Sequence, residues 1–221
     1  LEGVGRLAAS VAHDFNNLLM PIQASFDLLK HHKIIQADNE KWVAPGLAAT
    51  RQAMALVKKL LVHARSTDVK VERVDFRSIL QSSEALLRTF AVGGIDLRIE
   101  LPDEEVQVMA DRIELEQVVL NLVLNALTAV ESSGTVIIAL KSDDCDATLE
   151  VRDDGPGIPT SLRSWVLEPF NSTRAEGSGL GLTTVDRIAR SGGGSIEIGV
   201  APEGGALLSF SLPVVIPAPV I

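Results

Sequence analysis

Asp111-Arg-Ile-Glu-Leu-Glu-Gln-Val-Val-Leu-Asn-Leu-Val-Leu-Asn-Ala-Leu-Thr-Ala-Val130 is the stretch whose reading decides the fold. It reads as a strong helix with Asp111 as N-cap, a residue whose short carboxylate can accept from the first free N–H groups. Around it the periodicity changes. Val106 to Ala110 reads as a strand before it. Thr135 to Lys141 and Ala147 to Arg152 read as strands after it, flanking a polar turn. Further out, Phe76 to Phe90 is predicted as a helix ending before Gly93-Gly94, and Ile95 to Leu101 alternates like a strand. A glycine-rich irregular region runs from Asp153 to Ser178. A helix over Leu180 to Ser191 follows, then strands over Ser195 to Ala201 and Ala206 to Leu212 joined across Pro202-Glu-Gly-Gly205. Mixed in this order, the elements predict an α+β sandwich with a mainly antiparallel sheet covered by helices on one face.

The first third of the chain has a different texture. Leu7, Val11, Leu18, Ile22 and Leu29 follow three- and four-residue spacing, with Asp14 and Ser25 at the remaining seam positions. After a polar break at Gln36-Ala-Asp-Asn-Glu40, Val43, Leu47, Thr50, Met54, Val57, Leu61 and Ala64 form a heptad seam, with Pro45 and Gly46 in its first turn. Two amphipathic helices make a helical hairpin. A lone hairpin leaves its wide apolar arcs wet, so the expected product is a homodimer through these N-terminal helices, a four-helix bundle. The plainer alternative is packing against the chain's own C-terminal domain. The expected boundaries are 1–67 for the helical domain, a linker around Ser66 to Val74, 74–213 for the α+β domain, and a loose tail over 214–221.

Composition narrows the functions. Hydrophobic residues make up 46% and charged ones 22%, which fits a globular chain rather than a disordered one. The formal net charge is −9 and no basic cluster stands out, which argues against a nucleic-acid partner. Cys145 is the only cysteine, so no internal disulfide forms and a reducing compartment fits. No apolar run reaches the roughly 20 residues that a membrane-spanning helix needs. The expectation is a cytoplasmic fragment with no membrane contact of its own, whatever tether the longer protein carries.

Four groups of residues can carry chemistry. His13 lies on a polar stripe with Arg6, Ser10 and Asn17, away from the apolar seam, and so faces solvent. Neutral imidazole can attack phosphorus and carry a phosphoryl group on nitrogen. Asp14 can hold the other ring N–H or accept the proton, and Asn17, one turn on, can orient a water. A lone histidine on such a helix is ordinarily just a surface residue, and His31, His32 and His63 are read so. Asn121 and Asn125 are i and i+4, so their amides share a face and offer hard oxygens to Mg²⁺; an N-cap or inter-helix bond is the plainer use. Asp153 ends a strand and enters Gly155-Pro156-Gly157, where a buried carboxylate could accept an exocyclic amine and the glycines admit a ring. Asp-Gly-Pro-Gly is otherwise an ordinary turn. Gly177-Ser-Gly179-Leu180-Gly181 opens a helix, whose free N–H groups and positive end suit an anion. Each signal is weak alone. Their ordered conjunction points to a nucleotide pocket, with a phosphate acceptor far upstream.

These blocks resemble the boxes of bacterial sensor histidine kinases over nearly the whole chain. Ala12-His13-Asp14-Phe15-Asn16-Asn17 resembles the H box in its His-Asp-Phe-Asn-Asn form. Asn121 to Asn125 resembles the N box, Asp153 to Gly157 the G1 box, Glu168-Pro-Phe170 the F box and Gly177 to Gly181 the G2 box. The resemblance implies a dimerisation and histidine-phosphotransfer domain followed by a Bergerat-type ATP-binding domain. His13 is then the phosphorylated residue, Asp14 its acid/base neighbour, and Asn17 the residue aligning water for phosphatase action on a response-regulator receiver domain. Asn125 is implied as the Mg²⁺ ligand with Asn121 beside it, and Asp153 as the adenine-binding residue. Gly155, Gly157, Gly177, Gly179, Leu180 and Gly181 are implied to line the ATP. Phe170 to Ser178 is implied as a short lid from which Arg174 reaches the phosphates. ATPases sharing this fold carry glutamate where Asn121 stands, and an amide cannot act as a general base. The implied function is ATP-dependent autophosphorylation on His13 and transfer to a receiver aspartate, with an ATP-independent phosphotransfer adaptor as the alternative. Two departures from the family pattern are Leu127 and Thr128 after the N box, where a basic residue is common, and Arg174 where lysine is frequent.

Overall fold

The structure, a computed structural model, describes residues 22, 46, 69–91, 93–130, 133–173 and 179–215. The chain divides into two compact units, Leu1–Val69 and Lys70–Ile221. Of the first unit, Ile22 and Gly46 are helical. The expected hairpin, its dimeric bundle and the histidine box otherwise lie outside the described residues.

The second unit contains seven strands and three helices among the described residues. They run β1 (Glu72–Asp75), α1 (Phe76–Phe90), β2 (Gly94–Glu100), β3 (Gln107–Ala110), α2 (Arg112–Ala129), β4 (Ser133–Ser142), β5 (Asp146–Asp153), α3 (Gly181–Ser191), β6 (Ser195–Val200) and β7 (Ala206–Pro213). Short 3₁₀ turns at Thr160–Leu162 and Trp165–Leu167 punctuate the glycine-rich region between β5 and α3. The main sheet has the order β2-β4-β5-β7-β6. Only β2 and β4 pair in parallel; the other neighbours are antiparallel.

Two aspartates start the first two helices. Asp75 accepts from the N–H groups of Arg77 (3.1 Å) and Ser78 (3.2 Å), and also from Val106 N–H at 3.0 Å, so one carboxylate caps α1 and ties down the entry to β3. Asp111 accepts from Ile113 (2.8 Å) and Glu114 (3.2 Å) at the start of α2. Both satisfy donors that a helix start leaves open.

Period-two alternation then sorts the sheet into two faces. In β5, Ala147, Leu149 and Val151 are buried while Thr148, Glu150 and Arg152 face the other way. The buried face packs against the helices around Phe76, Leu115, Leu122, Ile138 and Phe210, with Phe76 and Phe210 edge to face at 6.2 Å between centroids. The outer face carries ion pairs, Lys141–Glu150 at 2.7 Å and Arg152–Glu100 at 3.3 Å. Asp153 continues the buried register of β5, which sets a carboxylate on the core side at the strand's end.

Two expectations need correcting. The linker read over Ser66 to Val74 already contains β1, which pairs antiparallel with β3 in a separate two-stranded sheet. Lys70 is also anchored, its N–H donating to Asp111 at 2.7 Å. The tail read as loose from 214 is held for two residues: Val214 N–H donates to Cys145 at 2.9 Å and Val215 N–H to Gln107 at 2.8 Å. In both places the backbone groups find acceptors far along the chain, on β3, on Asp111 and in the turn between β4 and β5, which a one-dimensional pattern does not display.

Candidate functional site

The site grows from the buried face of α2. Helical periodicity sets Asn121 and Asn125 one above the other. Asn121 is 2% exposed, and its Nδ2 has no hydrogen-bond partner among the described residues. A buried amide left this way is costly unless something outside the fold uses it. Asn125 is half-buried. What faces the pair is the start of α3: a Cβ at Gly181 would lie 3.8 Å from Asn121 Oδ1 and 3.8 Å from Asn125 Nδ2. Helix α3 has Leu180 at its N-cap and no side-chain cap, so its first N–H groups stay open toward a ligand. The apolar side of α3, with Val185, Ile188 and Ala189 buried, fixes that approach. An ion pair between Arg187 and Glu114 at 2.9 Å ties the same two helices.

The second part sits at the end of β5. Asp153 is 3% exposed, and its Oδ1 accepts from Gly155 N–H (3.0 Å) and Ala206 N–H (3.2 Å). Gly205 lies so close that any Cβ there would overlap the carbonyl and the carboxylate of Asp153. The turn that follows packs on α2, since a Cβ at Gly155 would come within 2.9 Å of the Ala129 carbonyl oxygen. Thus α2 touches both halves, the asparagine pair at its middle and the Asp153 turn at its end.

The third part is the approach to α3. Phe170 has φ of 65° and is 78% exposed, a left-handed conformation that costs a non-glycine residue on the order of 1 kcal/mol. Gly179, at φ 66°, seats directly on it: a Cβ there would collide with the carbonyl carbon of Phe170 and the nitrogen of Asn171. Beyond Gly179, Thr183 Oγ1 donates to the Gly179 carbonyl at 3.2 Å and Thr184 Oγ1 to the Leu180 carbonyl at 2.7 Å.

The expected site residues therefore fall into two groups. Asn121, Asn125, Asp153, Gly155, Gly157, Phe170, Gly179, Leu180 and Gly181 are described, and the asparagine pair and Gly181 are brought together. Arg174 and Gly177 lie outside the described residues, as do His13, Asp14 and Asn17. Sequence reasoning missed Gly205 and Ala206, which close over Asp153; the Gly204-Gly205 pair was the available signal. It also missed Asn171 beside the strained phenylalanine. Among the described residues no cluster of three or more histidine, cysteine or carboxylate side chains could hold a metal. The donors beside Gly181 are amides, whose carbonyl oxygens suit a hard cation that keeps most of its waters.

Known proteins give this geometry a context. Residues 110–216 match the family described as histidine kinase-, DNA gyrase B- and HSP90-like ATPase. The chain is 31% identical to the C4-dicarboxylate transport sensor protein DctB of Rhizobium meliloti, covering 91% of this chain and 33% of that protein. It is 34% identical to the sensor histidine kinase ZraS of Klebsiella oxytoca, covering 97% of this chain and 47% of that protein. The chain thus spans about a quarter to a half of the length of the curated relatives it matches. Among solved structures, the mycobacterial sensor histidine kinase MprB aligns with a TM-score of 0.58 and 30% identity, over 66% of this chain and 98% of that one. No helix among the described residues is long and apolar enough to cross a membrane.

Proposed function

Because the chain belongs to the sensor histidine kinase family, we propose that it is the catalytic core of an ATP-dependent protein histidine autokinase. In this reading it binds ATP in the second unit, phosphorylates His13, and passes the phosphoryl group to an aspartate of a response-regulator receiver domain. The observation that carries the reading is the approach of the uncapped start of α3 to the Asn121–Asn125 pair, a seat for an anion beside the Oδ1 of Asn121 and the side-chain amide of Asn125. Asp153, buried at the end of β5, is the acceptor for the exocyclic amine of adenine. Asn125 holds Mg²⁺, with Asn121 behind it; the ion when bound neutralises charge on the transferring phosphates.

Hydrolysis is disfavoured by the same residues. Asn121 occupies the position of a water-activating base, and an amide cannot take that proton. ATP then waits for a nucleophile that the chain supplies itself. In-line transfer to the imidazole of His13 asks mainly for positioning, with Asp14 holding or accepting the ring proton and Asn17 aligning water when the receiver is dephosphorylated. Pairing of two copies through the N-terminal helices would present the histidines.

The test is incubation of wild type and His13→Gln with γ-labelled ATP and Mg²⁺, following acid-labile label on protein. Label on wild type alone supports the autokinase and its acceptor. Label retained by the His13→Gln protein overturns the assignment of His13. A chain that binds no ATP is instead an ATP-independent phosphotransfer adaptor.

A further inference from the structure

Phe170 is the one residue other than glycine with positive φ among the described residues, and the backbone it strains is the surface on which Gly179 rests. Such a conformation persists only where neighbours over-determine it. Here the neighbour is Asn171. Its Nδ2 donates to the Trp165 carbonyl at 2.9 Å and to Glu168 Oε2 at 3.1 Å, while its backbone N–H donates to the Glu168 carbonyl at 3.4 Å. The Trp165 carbonyl also accepts from Glu168 N–H at 3.1 Å, so the amide of Asn171 closes a turn whose first bond is already made. From there the contacts run onward. The Phe170–Asn171 peptide supports Gly179, Gly179 accepts from Thr183, and Thr183 belongs to the first turn of α3, whose open N–H groups face the asparagine pair.

We propose that Asn171 is a positioning residue for the nucleotide: its side-chain amide holds the Phe170 turn in the left-handed form that sets the height of Gly179 and the start of α3. It touches no ligand itself. The proposal rests on the reading of this site as an ATP pocket. Alanine at 171 leaves the Trp165 and Glu168 acceptors exposed to water, so the fold should survive while the seat under Gly179 relaxes toward ordinary φ. Glycine at 170 adopts φ near 65° without help, so in that background the clamp has little left to do.

The experiment is calorimetric titration of the full chain with ATP and Mg²⁺, using wild type, Asn171→Ala, Phe170→Gly and the double variant, with melting temperatures taken without nucleotide. We expect Asn171→Ala to weaken ATP about fivefold, the loss of one net hydrogen bond, with a melting temperature close to wild type. In the Phe170→Gly background the same change should cost less than about twofold. Asn171→Asp, which keeps the size, loses the donor and sets a second carboxylate beside Glu168, should weaken binding at least as much as alanine, and it decides the matter if the alanine variant does not fold. Unchanged affinity in Asn171→Ala, or equal losses in both backgrounds, overturns the positioning role while leaving the pocket standing. Wild-type chain that binds no ATP overturns the pocket and this role together.

Discussion

Asp153 caps its own turn and, in the proposed function, also binds adenine, and one substitution can separate the two. Its Oδ1 is the acceptor for two backbone donors, Gly155 N–H and Ala206 N–H, at a site 3% exposed. Replacing it with alanine strands both donors at a site closed over by Gly205. Two such losses cost about 2–4 kcal/mol. For a chain of this size each kcal/mol moves the melting temperature by about 2–4 °C, so Asp153→Ala should melt roughly 5–15 °C below wild type. Asparagine keeps the carbonyl oxygen and therefore both backbone bonds, and its cost to stability should be about 1 kcal/mol or less. Binding should divide the other way. If the carboxylate accepts the amine of adenine, losing its charge removes a bond worth about 1.5–3 kcal/mol, or about 10- to 100-fold in ATP affinity. Thermal melting without nucleotide and calorimetric titration with ATP and Mg²⁺ give the two numbers. Asp153→Asn that binds ATP as tightly as wild type refutes the adenine contact and leaves Asp153 as a buried cap of its own turn.

Gly179→Ala should weaken ATP at least about tenfold by pushing Phe170 and the start of α3 apart, and titration reads it; an unchanged affinity would show that the approach of Gly179 to Phe170 does not shape the pocket. Asp111→Ala removes the N-cap of α2 and the acceptor of Lys70 N–H, and should cost about 1–2 kcal/mol in urea unfolding. Hydrogen exchange should then rise first at Lys70 and in the first turn of α2. If His13 is the acceptor, autophosphorylation should fall as pH drops through the range where imidazoles ordinarily protonate, about 6.5, and a flat rate between about pH 7.5 and 5.5 would refute direct attack by a neutral ring. Asp143 has its carboxyl held below the usual aspartate value by the N–H groups of Asp146 and Cys145. Its support of the β4–β5 turn is present at neutral pH and lost as pH falls through that lowered value, so amide exchange at 145 and 146 should accelerate only in acid.

Most of the second unit was legible because its signals are local. Asp111 as an N-cap, the i and i+4 asparagines and the alternation of β5 depend on neighbours a few residues away, and the structure places each where local rules put it. Strand β1 was not legible, since four residues of mixed polarity become a strand only through pairing with β3 more than thirty positions on. The same holds for Val214 and Val215, whose partners are Cys145 and Gln107. In the site, the glycines announced themselves but the reasons for them did not. Gly179 is needed because a strained phenylalanine lies under it, and Gly205 because a carboxylate does. Asn171 carried no pattern at all: its role is a pair of side-chain bonds across one turn.

Strain and unmet hydrogen bonding come together at the site. The frame is largely committed: Asp75 and Asp111 satisfy helix starts, and the sheet face away from the helices is laced with ion pairs. The exceptions among the described residues are Arg77 Nε, Glu114 Oε1 and Arg152 Nε, which lack a hydrogen-bond partner. Near the pocket the commitments stop. Asn121 keeps a buried donor without a partner, α3 begins without a side-chain cap, and Phe170 holds a conformation that lies above its own minimum. Left alone, each would cost on the order of 1 kcal/mol or more. All three lie within one short path from the Glu168 turn through Gly179 to the face of α2. A bound anion would satisfy the open start of α3, and a bound polar ligand would satisfy Asn121, so ligand binding would recover free energy that folding left unspent. Stability should therefore rise more on ATP binding in wild type than in Asn121→Leu, where the orphaned amide is removed and the empty protein itself is more stable. An Asn121→Leu chain that is less stable than wild type without nucleotide would show that the amide already has its partner within the fold.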